Sequence, residues 1–255
     1  KTHTFSTINS LCNYIISIKN DIDKLFAIFA WAALNIQYDV EAYLSNNIKS
    51  TTLEEVFETK RAVCSGYALF FNEMVKKTKI NTDKIIVKEY SNYAKGYSYN
   101  CLSPPKNVNS NHASVYIEID GSKFICEPTW GSGYMDNNKQ SHQRFNPNYF
   151  LIPLYDTLND HYPCNESKQL LPFNFHYQDY LNSCKLCDLN RQIKTESNPF
   201  CKILCKNGYL EQTYSCIAPI NTISVKIFIK KNDCFYRITE QDIFSYDIIQ
   251  KKLPK

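Results

Sequence analysis

Apolar residues recur at helical spacing through the first third of the chain. In the segment Thr4–Ile18, Phe5, Ile8, Leu11, Cys12, Ile15 and Ile16 form one stripe. A second stripe, Ile22, Leu25, Phe26, Phe29 and Ala33, runs through Asp21–Ile36, with Asp21 in place to act as N-cap. Thr52 and Glu55 have the spacing of a capping box and predict a short helix in TTLEEVFETK. From Ser65 the run SGYALFFNEMVKKT carries a stripe of Ala68, Phe71 and Val75, which places Cys64 at the start of a helix.

After Asn81 the period changes. KIIVKEY, ASVYIEID and KFICEP are short, rich in β-branched and aromatic residues, and bounded by turn residues. DGSK, Asp120 to Lys123, predicts a hairpin between the last two. Residues 92–111 read as a long polar loop with Pro104-Pro105. Residues 147–183 read as loops with short helices, HYQDYLNSC the clearest. From Phe200 strand-like runs return in GYLEQTYSC, ISVKIFI and CFYRIT. The pattern predicts an α+β core over residues 1–172 and, over 173–255, a linker helix and a β-rich, sandwich-like unit.

Composition narrows the class. Charged residues make up 21% and hydrophobic residues 44% of the 255, as in ordinary globular proteins. The net charge of +4 is spread along the chain, which argues against a nucleic-acid surface. No apolar run approaches the roughly 20 residues of a membrane span. Eleven cysteines, irregularly spaced in a chain able to bury a core, point to a reducing, cytoplasmic setting with thiols packed as small hydrophobes.

Three positions agree chemically. Cys64 opens a helix, where free backbone N–H groups and the helix dipole favour thiolate. His112 stands just before a strand, and Glu127 ends that strand's hairpin partner, 15 residues on. A tight hairpin brings such a pair to one edge. The histidine can take the thiol proton, and the carboxylate can orient the ring. Cys184, Cys187, Cys201 and Cys205 have paired spacing, but CKLC lacks knuckle residues and the second pair falls in a strand-like run, so no metal is expected. Nor is any other cofactor. His142, His161 and His176 have no spacing partner. Trp31 and Trp130 read as core aromatics, and Gly66 as a site of close backbone approach.

AVCSGYALFF, NHASVYIEIDGSKFICEPTWGSG and the 48 residues from Cys64 to His112 resemble the transglutaminase-like superfamily. WAALNIQYD, EEVFETKRAVCSGYA, NYAKGYSY, NPNYFLIP and DHYPCNESKQLLP resemble its kyphoscoliosis peptidase branch, which includes hillarin and fungal cytokinesis proteins. The likeness runs from about residue 22 to 172, and His161 falls in the branch's HYP segment, which implies a structural role. It implies a papain-like core in which Cys64 stands at the nucleophile's position, His112 at the general base's and Glu127 at that of an aspartate. Ser114 and Val115 stand where the family usually has Trp-Asn, and Val63 where a small residue is common. The resemblance implies thiol-mediated acyl transfer on a protein substrate, by peptide hydrolysis or amide crosslinking. It also allows a catalytically weak interaction module for a cytoskeletal protein partner.

Overall fold

The computed structural model describes residues 4–99, 109–136, 138–158, 160–164 and 175–182, and six short strands between residues 193 and 237. Two compact units divide the chain. One holds residues 1–97, 108–157 and 161–174, the other residues 98–107, 158–160 and 175–255.

The first unit is α+β. Helix α1 (Ile8–Ser17) starts at a reciprocal cap, with Thr7 Oγ1 accepting from the Ser10 N–H and Ser10 Oγ accepting from the Thr7 N–H. Helix α2 (Asp21–Asn35) is capped by Asn20 rather than Asp21, as Asn20 Oδ1 accepts from the N–H groups of Ile22 and Asp23. Asp21 is the first helical residue. There its charge suits the helix dipole, and it pairs with Lys24 at 2.7 Å. After β1 (Gln37–Tyr38) and α3 (Val40–Leu44), helix α4 (Leu53–Thr59) carries the expected Thr52–Glu55 box. Strand β2 (Arg61–Ala62) pairs in parallel with β1, and helix α5 (Cys64–Lys77) follows at once.

The main sheet forms from β3 (Ile85–Ala94), β4 (His112–Ile119) and β5 (Ser122–Cys126), then α6 (Pro128–Ser132), the hairpin β6 (Gly133–Met135) and β7 (Ser141–Gln143), β8 (Ile152–Pro153), α7 (Leu154–Thr157) and β9 (His161–Pro163). Its strand order is β8-β5-β4-β3-β9, antiparallel throughout. The β4–β5 turn falls on Asp120 and Gly121, both with positive φ (46° and 82°), as a two-residue hairpin of matching twist requires. Strand β3 runs on through Ala94, beyond the expected loop boundary at Asn92. Its last residues pair with β9, Asn92 with Pro163, Tyr93 with Tyr162 and Ala94 with His161. That partner lies far along the chain, so local pattern alone placed the end of the strand too early.

Helix α5 packs across β3 and β4 and against α2. Ala113, Val115 and Ile117 alternate into the resulting core with Ile28, Phe71 and Met74. Trp31 is stacked between Phe57 (5.2 Å) and Phe70 (4.8 Å). Tyr67 is fully buried, and its hydroxyl donates to the Ile36 carbonyl and meets Ser132 Oγ at 3.1 Å, tying α5 to the end of α2 and to α6. A Cβ at Gly66 would come within 2.6 Å of the Ala62 Cβ, so glycine lets β2 and α5 meet at a sharp corner. No helix among the described residues is long and apolar enough to cross a membrane.

In the second unit, helix α8 (Tyr177–Asn182) donates the Tyr180 hydroxyl to the carbonyl of Asp160 at 3.2 Å. Strands β10 (Ile193–Thr195) and β13 (Tyr214–Cys216), β11 (Cys205–Lys206) and β12 (Tyr209–Leu210), and β14 (Phe228–Lys231) and β15 (Cys234–Arg237) form three antiparallel pairs. The expected sandwich and the side chains of Cys184, Cys187, Cys201 and Cys205 lie outside the described residues.

Replacing Trp31 by alanine removes a ring held on both faces. We expect a loss of about 3–5 kcal/mol in unfolding free energy, measured by urea denaturation.

Candidate functional site

Four neighbouring strands bring their ends to one edge of the sheet. Strand β5 ends there just before Glu127, β4 begins there at His112, β3 ends there, and β9 begins there at His161. Glu127 is held at the junction of β5 and α6. Its N–H donates to the Tyr149 carbonyl at 2.9 Å, and its own carbonyl accepts from the Gly131 N–H at 2.8 Å. Pro128, at the first position of α6, suits a chain that turns from strand to helix there. The sequence reading took Glu127 as a strand end but did not foresee this helix.

His112 Nε2 lies 2.9 Å from Glu127 Oε2. Two bare lone pairs would repel at that distance, so the proton sits on Nε2. Nδ1 is then the ring nitrogen left for Cys64, whose thiol lies close enough for its charge and that of the His112 ring to favour each other. The backbone N–H of Ala113 also favours negative charge on Cys64. Val63 gives helix α5 no side-chain cap, and its carbonyl accepts from the N–H groups of Gly66 and Tyr67, which leaves those of Cys64 and Ser65 at the helix start. The structure therefore brings Cys64, His112 and Glu127 together.

His161 was read from sequence as structural. It stands on the far side of Glu127, with Nε2 2.9 Å from Oε1. The approach is short, but the ring N–H is not aimed along it, so the contact is first one of charge. No local signal marks this residue, because β9 reaches the site only by pairing with β3. Trp130 is likewise more than a core aromatic. Its ring packs 5.4 Å from that of His112 and 4.6 Å from that of His161, centroid to centroid. This places a large aromatic beside the site although Ser114 and Val115 replace the usual pair. Val115 is core, and Ser114 Oγ accepts from Asn92 Nδ2 at 2.7 Å. His142 does have a partner, Asp136 at 2.8 Å, on an exposed hairpin away from these groups.

The electrostatics follow from burial and pairing. Burial opposes charge on Glu127, but His112 and His161 outweigh it and hold the carboxyl at about 2. Burial would likewise strip His112 of its proton, yet Glu127 and Cys64 lift it to about 10. Burial pushes the Cys64 thiol up, and its contacts with His112, with the Ala113 N–H added, bring it below its ordinary value. Thiolate and imidazolium favour each other. By contrast, Cys126 is fully buried and its thiol is pushed well up. Among the described residues Cys12 and Cys126 are buried free thiols, and Cys64 and Cys164 are half-buried ones.

His112, Glu127 and His161 offer three ligand atoms within 4.8 Å of one another, a set of types a divalent ion can use. The ring nitrogens stand at hydrogen-bond distance from the carboxylate. Tetrahedral bonds of about 2.1 Å would spread them to roughly 3.4 Å, so a metal would have to open the cluster.

A polar cleft of about 540 Å³ opens beside the start of α5. It is lined by Asp39, Glu41, Glu55, Arg61, Val63 and Gly66 among others, but not by Cys64 itself.

A papain-like corner of helix and antiparallel sheet, with cysteine, histidine and carboxylate at its edge, defines a class, and comparison with known proteins agrees. The transglutaminase-like domain family matches residues 6–139, more than half the chain, and the chain belongs to that family. Within it the chain falls in the kyphoscoliosis peptidase branch. It is 26% identical to kyphoscoliosis peptidase of Mus musculus over 171 residues, 65% of this chain and 25% of that protein. It is 26% identical to kyphoscoliosis peptidase of Homo sapiens over 152 residues, 59% of this chain and 22% of that protein. The chain thus spans about a quarter of the length of these relatives.

The charge pairing predicts a pH profile. Wild-type Cys64 should alkylate with iodoacetamide at a rate that persists to lower pH than for an ordinary thiol. In His112→Ala the lowering partner is gone while burial remains, so the profile should move alkaline by about one pH unit or more. Rates at this one cysteine, followed by peptide mass spectrometry, check it.

Proposed function

We propose that this domain is a cysteine-dependent acyl-transfer catalyst acting on amides of protein substrates. The observation that carries the reading is the buried His112–Glu127 pair at 2.9 Å, with Cys64 beside it at the start of α5 and its thiol held below the ordinary range. The Cys64 thiolate attacks the amide carbonyl, forming a carbon–sulfur bond and moving the carbonyl electrons onto oxygen. The N–H groups at the start of α5 are suited to receive that oxyanion. His112 then gives its proton to the leaving nitrogen, the carbon–nitrogen bond breaks, and a thioester remains. Water gives hydrolysis. A primary amine gives a crosslink. In either case the incoming group loses its proton to His112 and the thiol is regenerated. Glu127 keeps the ring aligned and its charge balanced throughout.

The relatives' name, a peptidase, favours hydrolysis as the first outcome to test. The cytoplasmic, cytoskeletal setting implied by the branch belongs to this proposal, as does the boundary of the core near residue 172.

Wild-type protein incubated with a denatured protein substrate and a fluorescent primary amine should yield either new termini or amine-labelled product. Cys64→Ala should yield neither. Glu127→Gln keeps the size but not the charge and should lose about a hundredfold or more in rate. A wild-type protein no more active than Cys64→Ala, despite an activated Cys64, would leave the interaction-module reading in its place.

A further inference from the structure

Glutamate reaches its carboxylate through one more rotatable bond than aspartate, so a single hydrogen bond fixes it less well. Here the carboxylate has a histidine on each oxygen, His112 at Oε2 and His161 at Oε1, both at 2.9 Å. All three residues are buried. Glu127 exposes nothing, His161 3% and His112 9%. The two rings come from strands separated only by β3, and Trp130 packs against both.

We propose that His161 is a positioning residue for the acyl-transfer site, a second clamp that occupies Oε1 of Glu127 and so aims Oε2 at His112. The inference rests on the proposed role of Cys64 and His112 and extends it. The proton of His161 must lie on Nε2, because a bare ring nitrogen 2.9 Å from a carboxylate oxygen would repel it. The separation is already that of a hydrogen bond, and rotation of the ring about its Cβ–Cγ bond supplies the alignment. Without the clamp, Oε1 would be a buried anionic oxygen facing no donor at that position, and the carboxylate would turn to relieve it. The ring of His112 would then lose both its orientation and part of its charge balance. Of the titratable groups around this point, Cys64 from α5 lies beyond His112, Cys126 adjoins Glu127 in the chain, Tyr38 from β1 lies near Cys64, Asp160 and Tyr162 flank His161 in the chain, and Lys95 follows its β3 partner Ala94, the last three all buried.

Two polar substitutions of similar tolerance separate this role from mere packing. In His161→Gln the amide nitrogen can take the place of Nε2. In His161→Asn it reaches only the Nδ1 position and leaves Oε1 unmet. Iodoacetamide labelling of Cys64 across pH needs no substrate and can be read on both, with thermal melting to show that each is folded. The expected result is a near-wild-type profile for His161→Gln. For His161→Asn the acid limb should move alkaline by about one pH unit or more, toward that of His112→Ala. Equal profiles for the two variants, both wild-type or both shifted, overturn the clamp while the Cys64–His112 pairing stands. A profile insensitive to His112→Ala itself overturns the pairing, and the clamp with it.

Discussion

The interaction on which the site depends is the burial of one negative charge. Glu127 is completely removed from water, and a carboxylate in that position is tolerable only if cations and donors surround it. That requirement reaches well beyond the residue. It sets two histidines on its two oxygens, and those histidines fix which strand ends must meet at the sheet edge. It also requires β9, a strand of three residues, to pair with the far end of β3. The sheet order β8-β5-β4-β3-β9 is what places an acid from the end of one strand between bases from the beginnings of two others.

The thiol side of the site depends on a different constraint, the corner between β2 and α5. Parallel pairing of Tyr38 with Ala62 pins the chain two residues before Cys64, and the missing side chain at Gly66 lets the helix begin at once. Tyr67 then anchors the first turn through its buried hydroxyl. The helix start is therefore a rigid platform, and Cys64 is offered to His112 from secondary structure on both sides. Rigid support of this kind is what the proposed acyl transfer would need to hold its groups within a narrow geometry.

What could be read from the chain follows from the range of the forces involved. Helical stripes, the Thr52–Glu55 box and the Asp120–Gly121 turn are local, and each was legible. So were Cys64, His112 and Glu127, because a helix start and one hairpin are enough to suggest their meeting. His161 was not, since its place depends on a pairing between β9 and a strand end nearly 70 residues earlier. Trp130 packs against the core as its sequence suggests, but its contact with two histidines was hidden for the same reason as His161. Asn20 and Asp21 show a finer limit. Both residues can cap a helix, and only the observed donors to Asn20 Oδ1 decide between them.

The cost of the buried cluster bears on what the domain is for. Ion pairs in an interior add little net stability, and replacing one by apolar residues of similar volume is often neutral or stabilising. A domain whose only task was to present a surface could fill the space between β4, β5 and β9 with apolar side chains, as it does elsewhere with Val115, Ile117 and Ile125. Instead it keeps a carboxylate and two imidazoles there, with a thiol on the outer ring nitrogen. It also keeps that thiol distinct from Cys126, which burial holds firmly protonated a residue away from the same carboxylate. The interior charges lead outward to one partly exposed sulfur at a helix start. Such polarity adds little to folding stability, and it is what the proposed nucleophilic chemistry would use.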